Sequence, residues 1–288
     1  MLLTAHVSAA SGGAPELMLL TRVLTALVLA PLALVAVLWL PTALFGLLVL
    51  ALALLAGAEW LLLSGVSRRV LVLPLLVLFG VGLAVIQWTE ARTLMLWAAL
   101  VLWPVLIGLV FAYPRSQALV QRRIWTLLSG GIVLLGALAA FLWLHAVPKA
   151  GPWLLIWLLF IVWCADVGGY FAGRALGRHK LALRVSPGKT WEGAIGGMLL
   201  GLLAAGLLAM FVPALAVLAL PLWLWLGLAA VLVVMSVFGD LYESVLKRSH
   251  GAKDSGQLLP GHGGILDRVD ALLAAAPLAA LLLTRLPF

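Results

Sequence analysis

Two short stretches, residues 166–193 and 240–270, hold sixteen of the 28 charged side chains in this 288-residue chain. In the second stretch Asp240, Glu243, Ser244 and Lys247 follow i, i+3, i+4, i+7 spacing, which places them on one face of a helix. Asp267 and Asp270 repeat the i, i+3 relation on the next apolar segment. Two helix ends that present carboxylates can hold a hard cation through oxygen. Mg²⁺ is the natural occupant, because it favours carboxylates, waters and phosphate oxygens. Asp166 lies near the end of another apolar run. A lone acid at such a place most often pairs with a neighbouring Lys or Arg. Four acids (Asp166, Asp240, Asp267 and Asp270) that reach one depth beside basic residues point instead to function, because acids are expensive in lipid.

Between the two carboxylate pairs, Gly256, Gly261, Gly263 and Gly264 with Pro260 force a loop. Glycines allow successive backbone N–H groups to face an anion, and Lys247, Arg248 and Lys253 add fixed positive charge beside them. His262 is a phosphate donor, an acid/base group or a loop brace. Upstream, Gly188, Lys189 and Thr190 invite a P-loop reading, but that motif requires glycine where this chain has Leu183, and a preceding strand. Ser186, Lys189 and Thr190 are expected instead to form a short phosphate-binding turn. Gly193, Gly197 and Gly201 then recur every fourth residue, as in a close helix-packing seam.

The elements that must position these groups are membrane helices. The chain is 65% hydrophobic and 10% charged, with a mean hydropathy of +1.23, which excludes a soluble globular domain. Its net charge of +8 is spread over loops rather than along one stripe, so anionic lipids and anionic substrates are expected partners, and nucleic acid is not. The single Cys164 permits neither a disulfide framework nor a thiolate zinc cage. The first 21 residues lack a charged region followed by a short apolar core, so no cleavable signal peptide is expected. Breaks at charges and prolines give nine expected spans, at 22–40, 43–64, 70–88, 94–112, 124–145, 152–171, 194–211, 214–238 and 269–286. With the N-terminus cytoplasmic and the C-terminus outside, 15 of the 18 Lys and Arg residues fall on the cytoplasmic side. The expected fold is therefore an all-α polytopic bundle, without internal repeats. Residues 1–145 (spans one to five) would form a scaffold. Residues 146–288 would form the catalytic region, with cytoplasmic loops at 172–193 and 239–268.

The pattern Ser244, Lys247, Arg248, Lys253, Asp254, Gly256, Leu259, Pro260, His262, Gly263, Gly264, Asp267, Arg268 and Asp270 resembles the signature of the phosphatidate cytidylyltransferases, or CDP-diacylglycerol synthases. The segments 166–174 and 186–193 are similar to two further blocks of that family, with Val167 and Gly169 as mild departures. The resemblance implies transfer of CMP from CTP to phosphatidate, giving CDP-diacylglycerol and pyrophosphate in phospholipid biosynthesis. It implies Mg²⁺ with a second monovalent cation such as K⁺, held by Asp240 and Asp267 and supported by Asp166 and Asp270. Asp240, Asp267, Asp166 and Lys253 would be catalytic. Ser186, Lys189, Thr190, Ser244, Lys247, Arg248, His262, Gly263, Gly264 and Arg268 would bind substrate. It also implies a homodimer in a bacterial-type inner membrane, with the active site facing the cytoplasm. Two other classes compete. An ion-coupled transporter would string its acids across the midplane rather than gather them at one face. A CDP-alcohol phosphatidyltransferase would carry a different acidic signature, which this chain lacks.

Overall fold

The computed structural model describes residues 14–67, 69–256, 258 and 263–284. His262, with Leu259, Pro260 and Gly261 of the glycine loop, lies outside the described residues, as do the first 13 residues. Nine long helices and two single turns make up the described fold: α1 (Ala14–Trp39), α2 (Thr42–Leu63), α3 (Val72–Gln87), α4 (Thr89–Ala112), α5 (Gln117–Val120), α6 (Arg123–His145), α7 (Gly151–Leu176), α8 (Trp191–Phe211), α9 (Pro213–Ala216), α10 (Leu222–Ser249) and α11 (Leu266–Thr284). Each long helix overlaps one expected span. Six of them are long and apolar enough to cross a membrane: α2, α4, α6, α7, α8 and α10. Their outward faces carry large apolar side chains such as Val101, Phe111, Leu199 and Trp223, all well exposed. Lipid is the solvent that such a surface fits.

The breaks between helices follow local chemistry. Pro41 precedes α2, Pro152 sits in the first turn of α7, and Pro221 precedes α10. At the start of α8, the Thr190 hydroxyl accepts a hydrogen bond from the Gly193 N–H at 3.1 Å, an N-cap. The α6 helix is the central post, buried along most of its length and packed against α2, α3, α4, α7 and α11. Its His145 donates from Nε2 to the Val37 carbonyl (3.0 Å), accepts from the Thr42 hydroxyl at Nδ1 (2.9 Å), and stacks on Phe45. It is a satisfied structural histidine.

Glycine decides the two closest helix pairs. In the α7–α8 pair a Cβ on Gly168 would meet the Gly196 carbonyl oxygen at 2.6 Å, and one on Gly197 would meet the Ala165 oxygen at 2.6 Å. This is the seam expected from the four-residue glycine spacing. Gly201 continues it toward α10, where a Cβ would meet Val233. In the α10–α11 pair a Cβ on Gly239 would strike the Asp270 carbonyl oxygen and lie 3.0 Å from the Ala271 Cα. Gly239→Ala is therefore expected to lower stability by about 1–3 kcal/mol, as overpacking does. It should also push Asp270 away from Asp240, so that activity falls further than the loss of folded protein explains. Thermal melting and specific activity of the same preparation check this.

Three local expectations change. The eighth span does not run 214–238: α9 and residues 217–221 form a connection bracketed by Pro213 and Pro221, and α10 extends from Leu222 to Ser249. Hydropathy ends a span at its first charges, but here Glu243 and Lys247 face protein rather than lipid, so the helix continues past them. Residues 186–190 are not a turn. They form strand β2 (Ser186–Thr190), paired antiparallel with β1 (Lys180–Ala182), and the turn lies at 183–185. The loop expected from residue 172 starts later, since α7 runs to Leu176.

Candidate active site

The ends of α2, α7 and α10 and the starts of α8 and α11 meet at one end of the bundle. There α10 contributes Asp240, Glu243, Ser244 and Lys247 from a single face, as their spacing requires. Asp240 is 35% exposed at its side chain. One of its oxygens contacts the Lys189 Nζ from β2 at 2.7 Å, and the other accepts from the Ser244 hydroxyl at 3.4 Å. Asp166 of α7 lies within electrostatic reach of Asp240, Lys189 and Arg268. Both α7 and α10 continue for ten and nine residues past these acids. The carboxylates therefore sit roughly 15 Å below the helix ends, at the helical rise per residue.

Nearer the end of α10, and enclosed by protein, Lys247 joins two buried acids. Its Nζ donates to Glu243 Oε2 at 2.5 Å and to Asp267 Oδ1 at 2.6 Å, with Glu243 only 3% exposed. The other Asp267 oxygen accepts from the Ser255 N–H (3.0 Å), the Ser255 hydroxyl (2.9 Å) and the Gly264 N–H (2.9 Å). Both Asp267 oxygens are therefore committed within the protein. Asp270, one turn on, accepts from the Ala271 N–H at 2.7 Å. Among the described residues the group that could hold a metal ion is Asp240, Glu243 and Asp270, each with one carboxylate oxygen within 4.8 Å of the others. Glu243 Oε1 is buried with no hydrogen-bond partner, and the small cavity beside it is lined by Trp60, Trp103, Gly239, Tyr242 and Asp270. Three carboxylates at this spacing, one of which carries an unpartnered oxygen, fit a hard divalent cation.

The candidate residues therefore divide. Asp166, Asp240, Asp270, Lys189, Ser244, Lys247 and Arg268 come together. Asp267 lies beside them as the hub of the loop. Thr190 is buried and occupied as the α8 cap, and Ser186 is a half-buried hairpin residue opposite Ala182. Lys253 and Arg248 are exposed at the mouth. Gly263 adopts a φ of +82°, which favours glycine, and Gly264 is buried against Ser255 and Glu59.

Two participants escaped the sequence reading as site residues. Glu243 was visible on the Asp240 face, yet only the packing of α11 shows it beside Asp270. Glu59 comes from α2, inside the segment read as scaffold. Its carboxylate accepts from the Ile265 N–H (3.0 Å), the Leu266 N–H (2.8 Å) and the Ser255 hydroxyl (3.3 Å). Its signal was present: it is the one charged residue in α2, and the rule that singled out Asp166 applies equally to it.

An apolar bundle with apolar outward faces, gathering carboxylates and lysines toward one end, is an integral membrane protein. The cytidylyltransferase family matches residues 20–286, and the chain belongs to that family of nucleotidyltransferases. It is 42% identical to the phosphatidate cytidylyltransferase of Pseudomonas aeruginosa over 92% of this chain and 97% of that protein. It is 36% identical to the phosphatidate cytidylyltransferase of Haemophilus influenzae over 90% of this chain and 96% of that protein. The protein of the same name from Brucella suis is 52% identical over a shorter stretch, 43% of this chain and 44% of that protein.

Proposed function

We propose that the chain transfers CMP from CTP to phosphatidate in the plasma membrane of a bacterium, releasing pyrophosphate, with Mg²⁺ held by Asp240, Glu243 and Asp270. The observation that carries this reading is the three-carboxylate group set between Lys189 and Lys247, in a family member similar along nearly its whole length to phosphatidate cytidylyltransferases. Bound there, Mg²⁺ would neutralise charge on the nucleotide phosphates and orient them. A monovalent cation such as K⁺ beside it belongs to the same proposal.

The reaction needs no strong base. A phosphatidate oxygen is already anionic, and its bond to the CTP α-phosphorus forms as the bond to pyrophosphate breaks. The task is to bring two polyanions together and hold the developing charge, which falls to lysines and arginines placed beforehand. Lys189, now on Asp240, is placed to turn toward a phosphate. Lys253 and Arg248 at the mouth, with Arg268 near Asp166, supply further positive charge for CTP and the lipid head group. The Lys and Arg distribution along the sequence supports a site open to the cytoplasm, where CTP is found, with phosphatidate arriving sideways from the leaflet.

The test is pyrophosphate release by the purified protein in detergent with CTP, Mg²⁺ and phosphatidate. Release is expected only when all three are present. Absence of release, or release without the lipid, overturns the proposal.

A further inference from the structure

Glu59 sits four residues before the end of α2, a helix whose other 21 residues are uncharged, and is only 8% exposed. A carboxylate there is costly unless something specific receives it. What receives it is the start of α11, more than 200 residues away in the chain. The first N–H groups of a helix have no partners within it. The residues that precede and open α11 are Gly263, Gly264, Ile265 and Leu266, none with a side chain able to cap. Glu59 does so instead, taking the Ile265 and Leu266 N–H groups on its two oxygens.

The surrounding loop is shaped around this carboxylate. A Cβ on Gly256 would lie 2.6 Å from Glu59 Oε1, and one on Gly264 would strike Glu59 Oε2 and the Ser255 hydroxyl. The glycines at these two positions thus make room for an acid from α2. The Ser255 hydroxyl lies 2.9 Å from Asp267 Oδ2 and 3.3 Å from Glu59 Oε2, so the two carboxylates share its single proton. A continuous network therefore runs from Glu59 through Ser255, Asp267 and Lys247 to Glu243.

We propose that Glu59 is a positioning residue: it fixes the first turn of α11 and thereby holds Asp270 opposite Asp240 and Glu243. This rests on the proposed metal site, and the experiment separates the two. Full-length protein in detergent is compared as wild type, Glu59→Gln and Glu59→Asp. Three quantities are read: Mn²⁺ affinity by electron paramagnetic resonance, kcat and KM for phosphatidate, and melting temperature. Glu59→Gln is expected to weaken Mn²⁺ binding and lower kcat by about 10-fold each, the usual scale for a residue behind the ligands. Its KM for phosphatidate should stay unchanged. Glu59→Asp, which keeps the charge, should recover part of both losses. A folded Glu59→Gln protein with wild-type Mn²⁺ affinity and kcat reduces Glu59 to a fold-stabilising cap and overturns the proposal. If Glu59→Gln does not accumulate, the same two criteria are applied to Glu59→Asp, and wild-type values there overturn it. A wild type that binds no Mn²⁺ also overturns it. A wild type that binds Mn²⁺ but shows no turnover with phosphatidate sinks the proposed reaction and leaves Mn²⁺ affinity to judge Glu59.

Discussion

Asp240→Asn is expected to lower turnover by about 10³-fold, the scale of several kcal/mol that metal-centred charge stabilisation supplies, while the protein stays folded. The substitution keeps the shape of the side chain and removes its charge. Asp240 is 35% exposed at its side chain, with a single lysine partner that can move to water. Little of the fold depends on it, so melting should shift by no more than a surface change does. Its loss leaves Glu243 and Asp270 as the remaining carboxylates for a cation. Asp267→Asn should behave differently. It weakens the pair with Lys247 and turns one acceptor of the Ser255 and Gly264 N–H groups into a poorer one, so melting temperature should fall together with activity. Steady-state pyrophosphate release and melting curves on both variants check the contrast. A near-normal rate for Asp240→Asn would remove Asp240 from the site.

Lys247→Met should have the largest effect on stability. Its ammonium, 13% exposed at the side chain, neutralises Glu243 and Asp267, which are 3% and 8% exposed. Removing one partner from a buried ion group typically costs about 3–5 kcal/mol, because it strands the other charges. Methionine keeps the length and packing of the lysine stem, so the effect reads the charge. The paired change Glu243→Gln with Lys247→Met should recover part of the stability and none of the activity, since Glu243 belongs to the carboxylate group. Melting temperatures of the two single variants and the double variant give the coupling directly. Additive losses would show that Lys247 and Glu243 do not depend on one another.

The contrast between these variants shows where the sequence alone suffices. Apolar runs long enough to cross a bilayer, and interrupted by prolines and charges, determine nearly every helix, because lipid leaves the backbone no other way to satisfy its hydrogen bonds. The four-residue glycine repeat in α8 announces a close neighbour, and the Asp240, Glu243, Ser244 and Lys247 spacing announces one functional face. These are properties of a single helix, and its 3.6-residue period carries them. Which oxygen meets which cation is a relation between helices, and no period encodes it. Asp267 and Asp270 look equivalent in sequence, yet the packing of α10 on α11 through Gly239 sets Asp270 beside Asp240 and Glu243, while Asp267 is consumed by Lys247, Ser255 and Gly264. The hairpin at 180–190 likewise forms by pairing across a tight turn, which the hydropathy of its residues does not reveal. Glu59 is the clearest case. Its type and place mark it as costly in lipid, but its purpose lies in two N–H groups more than 200 residues away, and only the folded chain brings them to it.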